Sequence, residues 1–125
     1  MVNNARSIRP FIGAKDFDES RKFYRELGFE ETVVSNVLSV FKTQDLAFYL
    51  QNAYVPDWVD NTMLFLEVND LDTYYQHLVS LGLSQKFSGA RLHPIRDEQW
   101  GRECFLHDPS GILWHIGTFN SSEQI

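Results

Sequence analysis

The 125-residue chain contains a single cysteine, Cys104, with four prolines and seven glycines. One thiol excludes a disulfide framework and a thiolate metal cluster. A lone Cys within an apolar run is expected to be a small core hydrophobe rather than a nucleophile. No stretch approaches the roughly 18 apolar residues of a membrane span. The N-terminal Met1-Val-Asn-Asn-Ala-Arg6 lacks the apolar run of a signal peptide, so a soluble, cytoplasmic protein is expected. Basic residues are outnumbered, 11 Lys+Arg against 17 Asp+Glu for a net charge of −6. That balance does not attract phosphate polymers or acidic lipid, and it disfavours nucleic-acid and membrane partners. The sequence has no Gly-x-Ser-x-Gly element and no phosphate-cradling glycine-rich loop, which leaves hydrolytic and nucleotide chemistry without a carrier. What it has in surplus is aromatic: ten Phe, five Tyr and three Trp.

The length fits one domain, 1–125, and an internal repeat divides it. A shift of 54 lays Phe11 on Phe65, Asp16 on Asp70, Asp18 on Asp72, Leu27 on Leu81 and Gly28 on Gly82. Each copy opens with a strand-length apolar run (9–14 and 63–68) that ends in Asp-x-Asp. Asp18 and Asp72 are the expected helix N-caps, followed by helices over about 19–27 and 73–81 that stop at Gly28 and Gly82. Three more strands are expected in each copy: 31–34, 38–42 and 46–51, then 83–87, 103–107 and 112–117. The expected fold is therefore α+β, two βαβββ modules at 7–53 and 61–119 joined by a linker at 54–60. One helix covers only one face of its sheet, so the other faces are left to form a concave ligand cleft.

The segments Asp16-Phe-Asp-Glu-Ser-Arg-Lys-Phe-Tyr-Arg-Glu-Leu-Gly-Phe29 and Asp108-Pro-Ser-Gly-Ile-Leu-Trp-His115 resemble the first helix and final hairpin of the vicinal oxygen chelate superfamily. That superfamily includes glyoxalase I, extradiol dioxygenases, and the fosfomycin- and bleomycin-resistance proteins. Arg91-Leu-His-Pro94 followed by Gln99-Trp-Gly101 is similar to the bleomycin-resistance branch. The resemblance implies paired concave sheets, a homodimer, and a ligand groove between subunits bordered by the linker and the Trp-Gly element. A bleomycin-type antibiotic is then the implied small-molecule partner.

Metal-dependent members of the superfamily place ligands on the first, fourth, fifth and eighth strands of the fold. The matching positions here hold Arg9, Tyr49, Met63 and His115. Only His115 is a good ligand for a divalent metal, so neither a metal site nor a cofactor is expected. A separate cluster of His93, His107, His115 and Glu103 has no recognised chelating spacing. The expected function is metal-free sequestration of a cationic or aromatic molecule. The alternative is a glyoxalase- or dioxygenase-type enzyme (lyase, isomerase or oxygenase) with a displaced metal site, or with His115 as acid–base.

The candidate ligand-binding residues are Tyr49, Tyr54, Trp58, Asp60, His93, Trp100, Gly101 and His115. Tyr and Trp offer wide faces to planar or cationic groups, and Asp57 and Asp60 favour positive charge. Strand alternation puts Ala47, Gln51, Leu113 and Gly117 on the cleft side with Tyr49 and His115. It puts Phe48, Leu50, Trp114 and Ile116 against the helices. Phe23, Tyr24 and Leu27 are expected as the core stripe of the first helix. The Phe residues are expected mainly in the two cores.

Overall fold

The computed structural model of the protein describes residues 4–120. The first module runs β1 (Phe11–Gly13), α1 (Phe17–Glu26), β2 (Glu30–Ser35), β3 (Leu38–Thr43) and β4 (Leu46–Gln51). A one-turn helix, α2 (Pro56–Val59), occupies the connection. The second module follows with β5 (Met63–Glu67), α3 (Leu71–Leu81), α4 (Leu83–Lys86), β6 (Arg91–Leu92), β7 (Arg96–Asp97), β8 (Gly101–His107) and β9 (Leu113–Phe119). Sheet A has the order β1-β4-β3-β2, and sheet B the order β5-β9-β8-β6 with β7 also on β8. Each sheet is mixed: the opening strand pairs in parallel with the closing strand, Phe11 opposite Tyr49 and Phe65 opposite His115. Among the described residues, no helix is long and apolar enough to cross a membrane.

Two sequence expectations are corrected. The N-caps are Asp16 and Asp70, whose carboxylates accept the backbone N–H of Glu19 and Thr73 at 3.1 Å. Asp18 and Asp72 lie inside the first turn and pair with Arg21 at 3.1 Å and Arg102 at 2.9 Å. The cap must precede the first helical residue that turns into the core, and those residues are Phe17 and Leu71, both buried. The expected strand 83–87 is instead the helical turn α4. Leu83 and Phe87 stand four apart and are both buried, a helical spacing. Gly82, at φ 60°, ends α3 in the left-handed conformation and redirects the chain into that turn. The sheet edge is then supplied by β6 and β7.

The core lies on the helix side of both sheets and joins them. Phe48, Leu50, Trp114 and Ile116 are buried there, as alternation requires, along with Cys104 on β8. Tyr24 on α1 is the hub of this core, with its ring against Phe23, Phe29, Phe41, Phe48 and Trp114. Its hydroxyl donates to Asp108 Oδ2 at 2.6 Å and accepts from Trp114 Nε1 at 2.9 Å. Asp108 Oδ1 in turn accepts the backbone N–H of Ser110 and Ile112, at 2.8 and 2.9 Å. The Asp108-Pro-Ser-Gly111 turn is thereby tied to the first module's helix.

A second polar clamp holds α1 to sheet A. Glu31 on β2 accepts from Arg21 Nε at 2.6 Å, Arg25 at 2.5 Å and the Ser39 hydroxyl at 2.6 Å. Burial works to raise the Glu31 carboxyl, but the bonds from Arg21, Ser39 and Arg25 outweigh it and hold it below the usual range. Glu31→Ala should cost about 1–2 kcal/mol, discounted because both arginines are partly solvated. Urea denaturation at neutral pH, repeated in high salt, checks this: the loss should shrink only modestly with salt, since Ser39 is uncharged.

Candidate functional site

The faces opposite the shared core carry the candidate site. On sheet A, alternation places Arg9, Phe11, Tyr49 and Gln51 on this side. Phe11 stacks on Tyr49 with ring centroids 4.6 Å apart, and the Arg9 guanidinium lies 5.9 Å over the Tyr49 ring. Arg9 Nε is buried there without a hydrogen-bond partner. On sheet B the same side carries Met63 and Phe65 from β5, Glu103, Phe105 and His107 from β8, and His115 and Phe119 from β9.

The structure gathers Trp100 and His115 around Phe65. Trp100 packs edge-on against Phe65 at 5.8 Å and against Phe119 at 5.1 Å, and His115 lies parallel to Phe65 at 6.4 Å. Phe105 meets the His115 ring edge at 4.9 Å, and the Arg96 guanidinium sits 5.4 Å over Phe105. Arg96 is paired with Glu98 at 2.9 Å. His115 Nδ1 is 3.0 Å from Glu103 Oε1, and Nε2 is 3.5 Å from the Met63 sulfur. Glu103 is buried, and its neighbour across the ladder is Gly117. A Cβ at Gly117 would lie 3.0 Å from Phe65 Cζ and 3.2 Å from Glu103 Cβ, so glycine leaves room for both.

Among the described residues, the rings of the other candidates do not contact this cluster. His93 is on the same face beside Phe105, whose carbonyl oxygen accepts its backbone N–H at 2.9 Å, and its ring is 5.4 Å from that of His107. Burial, with Arg91 and His93 adding to it, lowers the His107 imidazole below its ordinary range. Gly101 is buried where β8 begins, and a Cβ there would lie 2.1 Å from the Thr118 carbonyl oxygen, so its glycine serves close strand packing. Tyr49 belongs to sheet A. Tyr54, Trp58 and Asp60 lie in the connection; Trp58 is 68% exposed, and Lys15 Nζ stands 5.8 Å over the Tyr54 ring.

Phe65 and Phe105 are not among the ligand-face candidates from sequence, and Glu103 is one only within the cluster of His93, His107 and His115 that has no chelating spacing. Phe17, Phe23, Phe29, Phe41, Phe48 and Phe87 fill the core as expected, whereas Phe11 and Phe65 are 55% and 44% exposed on the side away from it. The repeat carried the signal: it aligns Phe11 with Phe65, and each sits opposite the residue that marks the cleft side of its sheet, Tyr49 or His115.

The two faces make no ring contact with each other among the described residues. Two hollows lie at the seam between β4 and β5, at ≈ 290 and ≈ 250 Å³, and share Phe29, Leu46 and Leu66; two more open ones, ≈ 430 and ≈ 400 Å³, lie between α1 and α4 around Lys22, Lys86 and Phe87. The four positions where the resemblance implies metal ligands fall two by two, Arg9 beside Tyr49 on sheet A and Met63 beside His115 on sheet B. A permanent cation, a phenol, a thioether and one imidazole do not make a divalent-metal site. Among the described residues no three His, Cys, Asp or Glu side chains gather to hold an ion. Cys104 is no candidate nucleophile, since burial, helped by Glu103, pushes its thiol up to about 11.

Comparison with known proteins gives a consistent placement. Residues 8–116 match the family described as the Glyoxalase/Bleomycin resistance protein/Dioxygenase superfamily. A bleomycin resistance protein of Klebsiella pneumoniae is 27% identical over 113 residues, covering 86% of this chain and 87% of that protein. The crystal structure of a bleomycin-binding protein from Streptomyces verticillus, complexed with copper(II)-bleomycin, superposes with a TM-score of 0.80 at 23% identity. The match covers 96% of this chain and all of that one. A lactoylglutathione lyase from Agrobacterium tumefaciens shares the fold with a TM-score of 0.71 at 16% identity, over 93% of this chain and 96% of its own.

Proposed function

The chain belongs to the glyoxalase/bleomycin resistance protein/dioxygenase superfamily, and from that premise we propose that it sequesters a small aromatic or cationic molecule of the bleomycin type. The ligand is held without a metal ion in a cleft that two copies of the chain complete, sheet A of one facing sheet B of the other. The observation that carries this reading is the pair of uncovered aromatic faces. Phe11, Phe65 and Met63 are 55%, 44% and 64% exposed on them. Contiguous exposed apolar surface of this kind marks a binding or association face. The single chain's seam hollows, ≈ 290 and ≈ 250 Å³, sit at the small end of the roughly 300–1,000 Å³ of a drug-sized site, and in this reading the second copy adds a further wall on the aromatic faces. The resistance protein and the bleomycin-binding protein among its relatives support the choice of ligand.

In this arrangement Trp100, Phe65 and His115 form one wall, and Tyr49 with Phe11 the other. Tyr54, Trp58 and Asp60 border the mouth, Asp57 and Asp60 favouring a positively charged ligand, with His93 beside Phe105. Binding is stacking and burial, and no bond of the ligand is made or broken.

Calorimetry of EDTA-treated protein with metal-free bleomycin tests the proposal. The expected result is a dissociation constant in the micromolar range or tighter, with one ligand per chain. Trp100→Ala should weaken binding at least about tenfold through lost aromatic area. No heat at micromolar concentrations, or binding that requires added zinc or nickel, would count against it.

A further inference from the structure

We infer that Glu103 and His115 form a hydrogen-bond reader in the floor of the sheet B face, one that takes the N–H donor of a planar nitrogenous group such as an amidine or amide. The inference rests on the proposed function in taking this face as a ligand wall, and it names the chemical group recognised there.

Glu103 is buried on β8 with its Oε1 3.0 Å from His115 Nδ1. A carboxylate only accepts hydrogen bonds, so the imidazole donates from Nδ1, and its single proton in the neutral ring is held there. Nε2 is then a bare lone pair. Its neighbour, the Met63 sulfur at 3.5 Å, has no proton to give and leaves that lone pair unsatisfied. Met63 is 64% exposed on the edge strand β5, and its unbranched chain can move aside for a ligand. What remains is an oriented acceptor at the open side of the ring.

The surroundings set the shape and sign of what it accepts. Phe65 lies parallel to the imidazole, with an interplanar angle of 21°, and Phe105 stands edge-on at 79°. A flat group continuing the plane of His115 therefore stays in contact with Phe65 while its N–H reaches Nε2. Gly117 lets Phe65 and Glu103 take up these positions, since a Cβ there would lie 3.0 Å from Phe65 Cζ and 3.2 Å from Glu103 Cβ. An anionic ligand would face both the bare lone pair and the Glu103 charge. Arg96, the nearby cation over Phe105, is already paired with Glu98. Glu103 is thus a positioning residue that acts through His115.

The ring nitrogens of the ¹⁵N-labelled full chain decide the matter. At about pH 8, where an ordinary imidazole is neutral, wild-type His115 should show a protonated Nδ1 and a bare Nε2. Millimolar benzamidine should shift the His115 Nε2 signal, and benzoate at the same concentration should leave it in place. Glu103→Leu removes the acceptor, so the proton should move to Nε2 and benzamidine should bind about tenfold more weakly. Glu103→Gln keeps a carbonyl oxygen in position and should retain the wild-type tautomer and most of the affinity. A wild-type ring carrying its proton on Nε2, or on both nitrogens, overturns the inference. So does a ring that responds to benzoate or to neither probe, and so does a Glu103→Leu tautomer identical to wild type. None of these measurements uses bleomycin. Failure of bleomycin to bind counts against the proposed function alone, and failure here leaves that function standing.

Discussion

A Tyr24→Phe protein is expected to lose about 3 kcal/mol of unfolding free energy, seen as a lower urea midpoint at unchanged slope. The substitution removes one oxygen and opens no sizeable cavity, so the loss is almost wholly polar. Trp114 Nε1–H loses its acceptor at 2.9 Å, and Asp108 Oδ2 loses its donor at 2.6 Å. All three side chains are buried, so water does not replace the missing oxygen. Each buried group left without a partner costs about 1–3 kcal/mol, more when it is charged. Tyr24 lies on α1, whereas Asp108 and Trp114 belong to the second module, so the bond chain fastens one module to the other. Fluorescence and circular dichroism should therefore report a single transition shifted as a whole. A loss under about 1 kcal/mol would show that the hydroxyl is dispensable to that seam.

Stability should also fall by about 3 kcal/mol as pH rises from about 4 through 6, owing to Asp108 alone. Burial pushes its carboxyl up to about 6 from an ordinary 3.8, even though Tyr24, Ile112, Ser110 and Gly111 donate hydrogen bonds that work the other way. Over that interval the native chain holds a proton that the unfolded chain has released. The contribution is therefore complete below about pH 4 and is lost as pH rises through the folded value. Glu31, with its lowered carboxyl, has the opposite sign and loses stability as pH falls. His107, with its lowered imidazole, also loses stability as pH falls through its folded value. Comparison with Asp108→Asn isolates the effect, because the variant keeps an oxygen for the Ser110 and Ile112 N–H groups but does not titrate. The wild-type advantage over Asp108→Asn should shrink by about 3 kcal/mol between about pH 4 and pH 7. A difference that stays flat across that range would contradict the assignment.

The architecture was legible in the sequence because its signals are periodic and local. The Phe11/Phe65 and Gly28/Gly82 matches mark repeat boundaries, and alternation sorted Phe48, Leu50, Trp114 and Ile116 onto the core side. Local competition was harder to read. In Asp16-Phe-Asp18 either carboxylate can cap a helix, and what selects Asp16 is the burial of Phe17 immediately after it. In Leu83–Phe87 an apolar pair reads as a strand until Gly82 adopts a positive φ and the spacing of four becomes helical.

The candidate site's grouping was legible in part. His115 and Trp100 were visible from the final hairpin and the Trp-Gly element, and the structure brings both to Phe65. Glu103 stood out only as one member of a cluster with His93, His107 and His115, whereas the ladder sets it diagonally across from His115 and opposite a glycine. No linear spacing encodes that neighbourhood. Tyr24 was read as core packing, which it is. Its hydroxyl bond to a turn 84 residues away has no local trace.

Sedimentation velocity of EDTA-treated protein mixed with metal-free bleomycin, followed through the absorbance of both, shows whether two copies of the chain hold the ligand together. Bleomycin should travel with a species of twice the 14.6 kDa chain mass. Bleomycin carried by a single 14.6 kDa chain would contradict it, as would bleomycin left behind by a dimer.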